Sequence, residues 1–170
     1  MTNWKKYGNI YIPKGKETKI MDRAIYFDMD GTIADFYGVE GWLSYLIAGN
    51  VKPYRDAKPL VNMRSLSAKL KMLQLMGYRI GIISWLSKSG TDAYNQQVTE
   101  VKLKWLKKHL GSVDWDEIKI VPYGTPKQLS VDCPAGLLFD DEEQNRNNWV
   151  GRAENVNNIL ETLNSLIKEN

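Results

Sequence analysis

Cysteine is nearly absent from this 170-residue chain. The single copy, Cys133, excludes an intrachain disulfide, and beside Pro134 it reads as a packing residue in a reducing cytoplasm. Histidine is as scarce: His109 is the only one. That removes the general base of a serine-type triad and any His-rich metal centre. Its setting in "KWLKKHLG" suits a helix C-terminus, where a partly positive imidazole is favourable. The basic helix around it reads as a solvated face, with Trp105 and Leu106 on the buried side. No apolar run approaches the length of a membrane span, and the N-terminus lacks the apolar stretch of a signal peptide. A surplus of one charge is also missing. The 23 Lys and Arg face 20 Asp and Glu, a net +3, and are interleaved with them, so nothing announces a nucleic-acid coat or a membrane partner.

What is present is enough for one globular domain with a real core, at 43% hydrophobic and 25% charged residues. Residues 1–20 are Lys-rich and broken by Gly8, Pro13 and Gly15, and read as an N-terminal extension; Met21 is an alternative start, opening directly into "MDRAIYFDMD". Residues 21–170 form the single domain. The apolar run Ala24–Met29 and "YRIGIIS" at 78–84 predict strands. Between them, Val39, Trp42, Leu43, Leu46 and Ile47 keep the spacing of a buried helical stripe, and a second helix is expected at about 60–76. A helix near 92–110, a strand "IKIVP", a loop carrying Lys127, a strand "GLLFD" and a helix at about 155–168 follow. Strands alternating with helices imply an α/β, Rossmann-like parallel sheet with right-handed crossovers.

In such a sheet, ligands bind beyond the carboxyl ends of the strands. Here those ends carry Asp28 and Asp30, Ser84, and Asp140 and Asp141. Converging carboxylates need a cation, and an all-oxygen set suits Mg²⁺, which keeps waters and is usually completed by a substrate phosphate.

"FDMDGT" at 27–32, Ser84 in "GIISW", Lys127 in "GTPKQ" and "LLFDDE" at 137–142 together resemble the four ordered motifs of the haloacid dehalogenase (HAD) superfamily of phosphoryl-transfer enzymes. The resemblance spans about residues 24–145. It implies Asp28 as the nucleophile that forms an aspartyl-phosphate, and Asp30 as general acid and base, its backbone carbonyl on the metal and its side chain free. Ser84, with backbone N–H groups around Gly31, Thr32 and Trp85, would bind the phosphoryl oxygens. Lys127 would hold Asp28 and neutralise the transferring group. Asp140 is the expected direct Mg²⁺ ligand, with Asp141 as ligand or neighbour.

The short insertion at about 33–60 is expected to form a small helical cap, and the pattern is most similar to the 5'(3')-deoxyribonucleotidase branch and related phage and bacterial proteins. Phe36 and Tyr37 either stack on a base or pack the cap onto the core. Trp42 reads as core, and Asp35 as a residue that caps or solvates the segment entering the cap helix, without catalysis. The substrate is then a small phosphorylated molecule such as a nucleoside monophosphate. Two rivals are a 3'-phosphatase of nucleic-acid ends, with Lys52, Arg55 and Lys58 beside Tyr54 tracking the backbone, and a non-catalytic HAD-like binding protein.

Overall fold

Four successive apolar residues, Ala24–Phe27, make the central strand β3 of a computed structural model that describes residues 4–7, 10–13 and 23–169. Strands β1 (Trp4–Tyr7) and β2 (Ile10–Pro13) pair antiparallel. The rest of the stretch read as an extension, Met21 included, lies outside the described residues.

The elements after β3 are β4 (Ala34–Asp35), α1 (Trp42–Ile47), α2 (Lys52–Asp56), β5 (Lys58–Pro59), α3 (Met63–Leu75), β6 (Arg79–Trp85), α4 (Asp92–Leu110), β7 (Glu117–Val121), β8 (Leu137–Phe139), α5 (Glu143–Asn148), β9 (Ala153–Glu154) and α6 (Ile159–Lys168). The main sheet has five strands in the order β7-β6-β3-β8-β9, all parallel and flanked by helices. β3 sits where the order reverses, with β6 and β7 on one side and β8 and β9 on the other. That is where an open α/β sheet forms its ligand crevice.

Strand alternation divides the core. Ile25 and Phe27 face one side with Leu66, Leu70 and Leu73 of α3, Trp105, Leu106 and Leu110 of α4, and Ile159 and Leu163 of α6. Ala24 and Tyr26 face the other with Cys133, Leu138 and Trp149. Phe27 and Phe139, neighbours in the register, stack at 5.2 Å. Burying each of these large side chains contributes about 1.5–3 kcal/mol. The packing helices start at capping side chains: Asn62 accepts from the Ser65 N–H at 3.0 Å, and Thr91 from the Tyr94 N–H at 3.2 Å. Pro59 and the Asn62 cap explain why α3 begins at Met63, later than its periodicity suggested.

β4 and β5 pair antiparallel, Ala34 with Pro59 and Asp35 with Lys58. Everything between them is one excursion from the sheet, carrying α1 and α2. Its base is tied to α4 by the Trp105 indole N–H, which donates to the Ala57 carbonyl at 2.7 Å.

Three expectations need correction. The stripe of α1 is not buried: Leu43 is 51% and Ile47 79% exposed, because an excursion of two short helices offers them nothing to pack on. Only Trp42 and Leu46 lean on the cluster of Phe36, Tyr54, Tyr94 and Val98, so Trp42 is a half-buried flank residue instead of core. His109 does lie in the last turn of α4, 4.5 Å from the Trp105 ring, but burial and then Lys108 push its pKa below the usual 6.5, against the expected partly positive imidazole. Strand β9, two residues long, carried no sequence signal. Among the described residues, no helix is long and apolar enough to cross a membrane.

Candidate active site

The backbone of Asp28 continues the ladder past β3, its N–H donating to the Phe139 carbonyl at 2.9 Å, and this sets its carboxylate at the sheet end between β6 and β8. The chain then coils tightly. The N–H groups of Thr32, Ile33 and Ala34 all point at the Met29 carbonyl, at 3.1, 3.0 and 2.9 Å. Gly31 takes φ +77°, and a Cβ there would lie 2.4 Å from Asp141 Oδ2, so only glycine lets the two loops approach.

This turn uses groups that the motif resemblance assigns to phosphate. The Gly31 N–H donates to the Ala34 carbonyl at 2.9 Å. Thr32 is fully buried; its hydroxyl donates to Asp141 Oδ1 at 3.2 Å and accepts the Asp141 N–H at 3.2 Å. Both residues shape the acidic loop, because closing so tight a turn leaves their donors no freedom to face a substrate.

Lys127 opens a single 3₁₀ turn, Lys127–Leu129, and is 2% exposed. Its ammonium meets Asp28 Oδ1 at 3.0 Å and Asp140 Oδ2 at 2.6 Å, under the Trp85 ring at 5.0 Å. The two carboxylates hold its pKa above the ordinary value despite burial. Asp140, completely buried, is also held by the Asn145 side-chain amide at 3.1 and 3.3 Å and by the Glu142 N–H at 2.9 Å. Arg146 braces the loop from behind, donating to the carbonyls of Asp140 at 2.8 Å and Asp141 at 2.6 Å.

Oxygens of Asp28, Asp140 and Asp141 lie within 4.8 Å of one another. Three carboxylates against one ammonium leave an excess of negative charge. Its effect is visible on Asp141, whose pKa is pushed up to about 7 by burial, then by Asp28, then by Asp140. Asp140 is raised by burial and by Asp28. An all-oxygen cluster of this charge fits a hard divalent cation such as Mg²⁺, and these three residues could hold it. Asp140 has its oxygens engaged by Lys127, Asn145 and Glu142; Asp28 and Asp141 are the more open donors.

Asp30 departs from expectation. Its side chain is not free: Lys102, from the middle of α4, reaches Oδ2 at 2.6 Å. The same ammonium donates to Ser84 Oγ at 2.9 Å and to the Trp85 carbonyl at 2.7 Å. Ser84 is fully buried and does not line the cavity, and the Trp85 indole is fixed by the Thr125 carbonyl at 2.8 Å. Burial, followed by the Coulomb effect of Asp28 against that of Lys102, raises the Asp30 pKa.

The cavity above these groups holds about 190 Å³ and is reached by Asp28, Asp30 and Lys127 from the sheet end. Its walls are aromatic: Tyr37, Trp42 and Tyr54 from the excursion, Trp85 and Tyr123 opposite, with Lys88 at the rim. Phe36 is 4% exposed and packs against Tyr54 at 4.7 Å, whereas Tyr37 is 47% exposed and meets Trp42 edge-on at 5.1 Å. Phe36 therefore anchors the excursion, and Tyr37 presents a face to the cavity. Asp35 Oδ1 accepts the Gly38 N–H at 3.0 Å, closing a turn.

Sequence reasoning missed Lys102, Asn145 and Arg146. Lys102 had a signal: it falls four residues after Val98 and three before Trp105, on the apolar stripe of α4. Asn145 and Arg146 sit in a polar run, "DDEEQNRNN", that looks like solvated surface.

No family model and no curated protein matches this chain. Among solved structures it is similar to the D,D-heptose 1,7-bisphosphate phosphatase from Burkholderia thailandensis, with a TM-score of 0.42 and 14% identity, over 74% of this chain and 70% of that one.

Proposed function

We propose that this chain is a HAD-type, Mg²⁺-dependent phosphomonoester hydrolase that works through an aspartyl-phosphate on Asp28. The observation that carries the proposal is the division of carboxylates at the end of β3. Asp28 faces the cavity, paired with Lys127 inside the acidic trio, while Asp30, two residues on, is held apart by a different lysine.

In the first step an Asp28 oxygen forms a bond to phosphorus as the bond to the leaving oxygen breaks. That oxygen keeps the electron pair and takes a proton from Asp30. In the second, Asp30 removes a proton from water as the water oxygen attacks phosphorus; the bond to Asp28 breaks and inorganic phosphate leaves. Lys127 holds the Asp28 carboxylate in line and balances charge on the transferring group. Asp28, Asp140 and Asp141 would hold Mg²⁺, whose charge would offset that of carboxylates and phosphate together.

The aromatic walls support a substrate with a flat group beside its phosphate, such as a nucleoside monophosphate, and the excursion serves as a small cap. The nucleic-acid-end reading loses support because both Lys52 and Arg55 pair with Asp56 and Tyr54 is buried. A lone, buried Cys133 is consistent with a cytoplasmic enzyme. The test is a screen of nucleoside monophosphates and other phosphate esters with Mg²⁺ or chelator. Expected are Mg²⁺-dependent release of phosphate, its loss in Asp28→Asn with the fold intact, and binding of beryllofluoride by the wild type. Full turnover in Asp28→Ala would refute the covalent route.

A further inference from the structure

Lys102 has no part in the steps above, yet α4 carries it into the core, where it is 1% exposed. An ammonium has three N–H donors. All three are engaged: Asp30 Oδ2 at 2.6 Å, the Trp85 carbonyl at 2.7 Å and Ser84 Oγ at 2.9 Å. The Tyr54 ring lies against it, with Nζ 5.2 Å from the centroid. A cation so saturated has no donor left for a substrate oxygen, so binding phosphate directly is excluded. Two of its three contacts belong to the end of β6, a central strand, and these fix the ammonium in space. The third contact is the only one to a residue of the nucleophile loop. Lys127 pairs with Asp28 and not with Asp30. Each of the two carboxylates thus has its own buried lysine.

We propose that Lys102 is a positioning residue for the general acid: anchored by Ser84 and the Trp85 carbonyl, it holds the Asp30 carboxyl on the excursion side of the loop, clear of Asp28 and facing the leaving group. This rests on the hydrolase reading and adds a residue to it. Without Lys102, Asp30 keeps its chemistry and loses its direction. The damage then falls on the proton that Asp30 delivers and spares the attack by Asp28.

The test is a double-variant cycle in single-turnover kinetics with Mg²⁺, read as release of the leaving group in the first step, before Asp30 acts as base on water: wild type, Lys102→Met, Asp30→Asn and the double variant, each with a nucleoside monophosphate and with 4-nitrophenyl phosphate. General acid catalysis is worth about 10²–10⁴-fold. Lys102→Met should therefore lose about 100-fold on the nucleotide, with KM changed less than about threefold, and roughly tenfold or less on the nitrophenyl ester, whose leaving group needs no proton. In the Asp30→Asn background the Lys102 substitution should cost nothing further. Losses that multiply across the cycle, or equal losses on both esters, overturn the positioning role while leaving the hydrolase standing. A wild type inactive on every ester overturns the hydrolase reading, and this role with it. If Lys102→Met does not fold, Lys102→Gln, which keeps two N–H donors, is carried through the same cycle, and the same outcomes support or overturn the role.

Discussion

Replacing Asp141 by Asn should make the metal-free protein more stable, though it removes a group assigned to the metal. A carboxyl whose pKa is raised on folding binds its proton more tightly in the folded chain than in the unfolded one. Its contribution to stability therefore falls as pH climbs from the unfolded value to the folded one. For Asp141 the rise is from 3.8 to about 7. At about 1.4 kcal/mol for each tenfold change in proton affinity, the cost above pH 7 is at most about 4 kcal/mol. Water reaching this partly exposed carboxylate reduces the figure to about 2 kcal/mol. Asn keeps an oxygen for the Thr32 hydroxyl and drops the charge. In urea titrations with chelator, Asp141→Asn should exceed the wild type by about 2 kcal/mol at pH 8, a gain of roughly 4–8 °C in midpoint temperature. Below about pH 4 the two should converge, because the wild-type carboxyl is then protonated in the folded and the unfolded chain alike. Added Mg²⁺ should stabilise the wild type and leave the variant almost unmoved. Equal stabilities at pH 8, or a gain that is the same at both pH values, would refute the reasoning.

Lys127→Met removes the ammonium from a buried pair with Asp28 and Asp140 and should cost about 3–5 kcal/mol in chelator, read as a lowered denaturation midpoint. Mg²⁺ should recover part of that loss but not the phosphoryl transfer, which is scored as trapped phosphoenzyme. Tyr37→Ala should raise KM for a nucleoside monophosphate about tenfold, the value of roughly one stacked base, and leave glycerol phosphate hydrolysis unchanged; an equal change for both would remove Tyr37 from the leaving-group pocket.

The end of β3 was legible because its signals are local. A run of apolar residues closed by Asp28, and a second strand closed by Ser84, imply each other as soon as the sheet is taken to be parallel. Asp140 and Asp141 follow by the same logic from β8. Lys102 was not legible in this way. Its place on the apolar stripe of α4 marks it as buried, but the sequence does not name the carboxylate, 72 residues away, that pairs with it. The opposite error occurred in α1, where Leu43 and Ile47 have the spacing of a buried face and no surface to be buried against. At Gly31 and Thr32 the sequence does not show the donors engaged within the turn, since whether a turn's N–H groups face outward or its own carbonyls depends on how tightly the turn closes.

The two-residue ladder of β4 with β5 makes the chain leave and re-enter the scaffold at one point. In polymer terms the excursion is a closed loop, and the entropy of closing a loop grows only with the logarithm of its length, about 0.6 kcal/mol for each doubling. Gly49 marks where length could be added: its φ is +65°, and nothing lies within 4 Å of where a Cβ would stand. Segments grafted there would leave the sheet register untouched, along with both lysine–aspartate pairs at the end of β3. The excursion, with its aromatic walls, can thus be exchanged independently of the carboxylates and lysines at the sheet end.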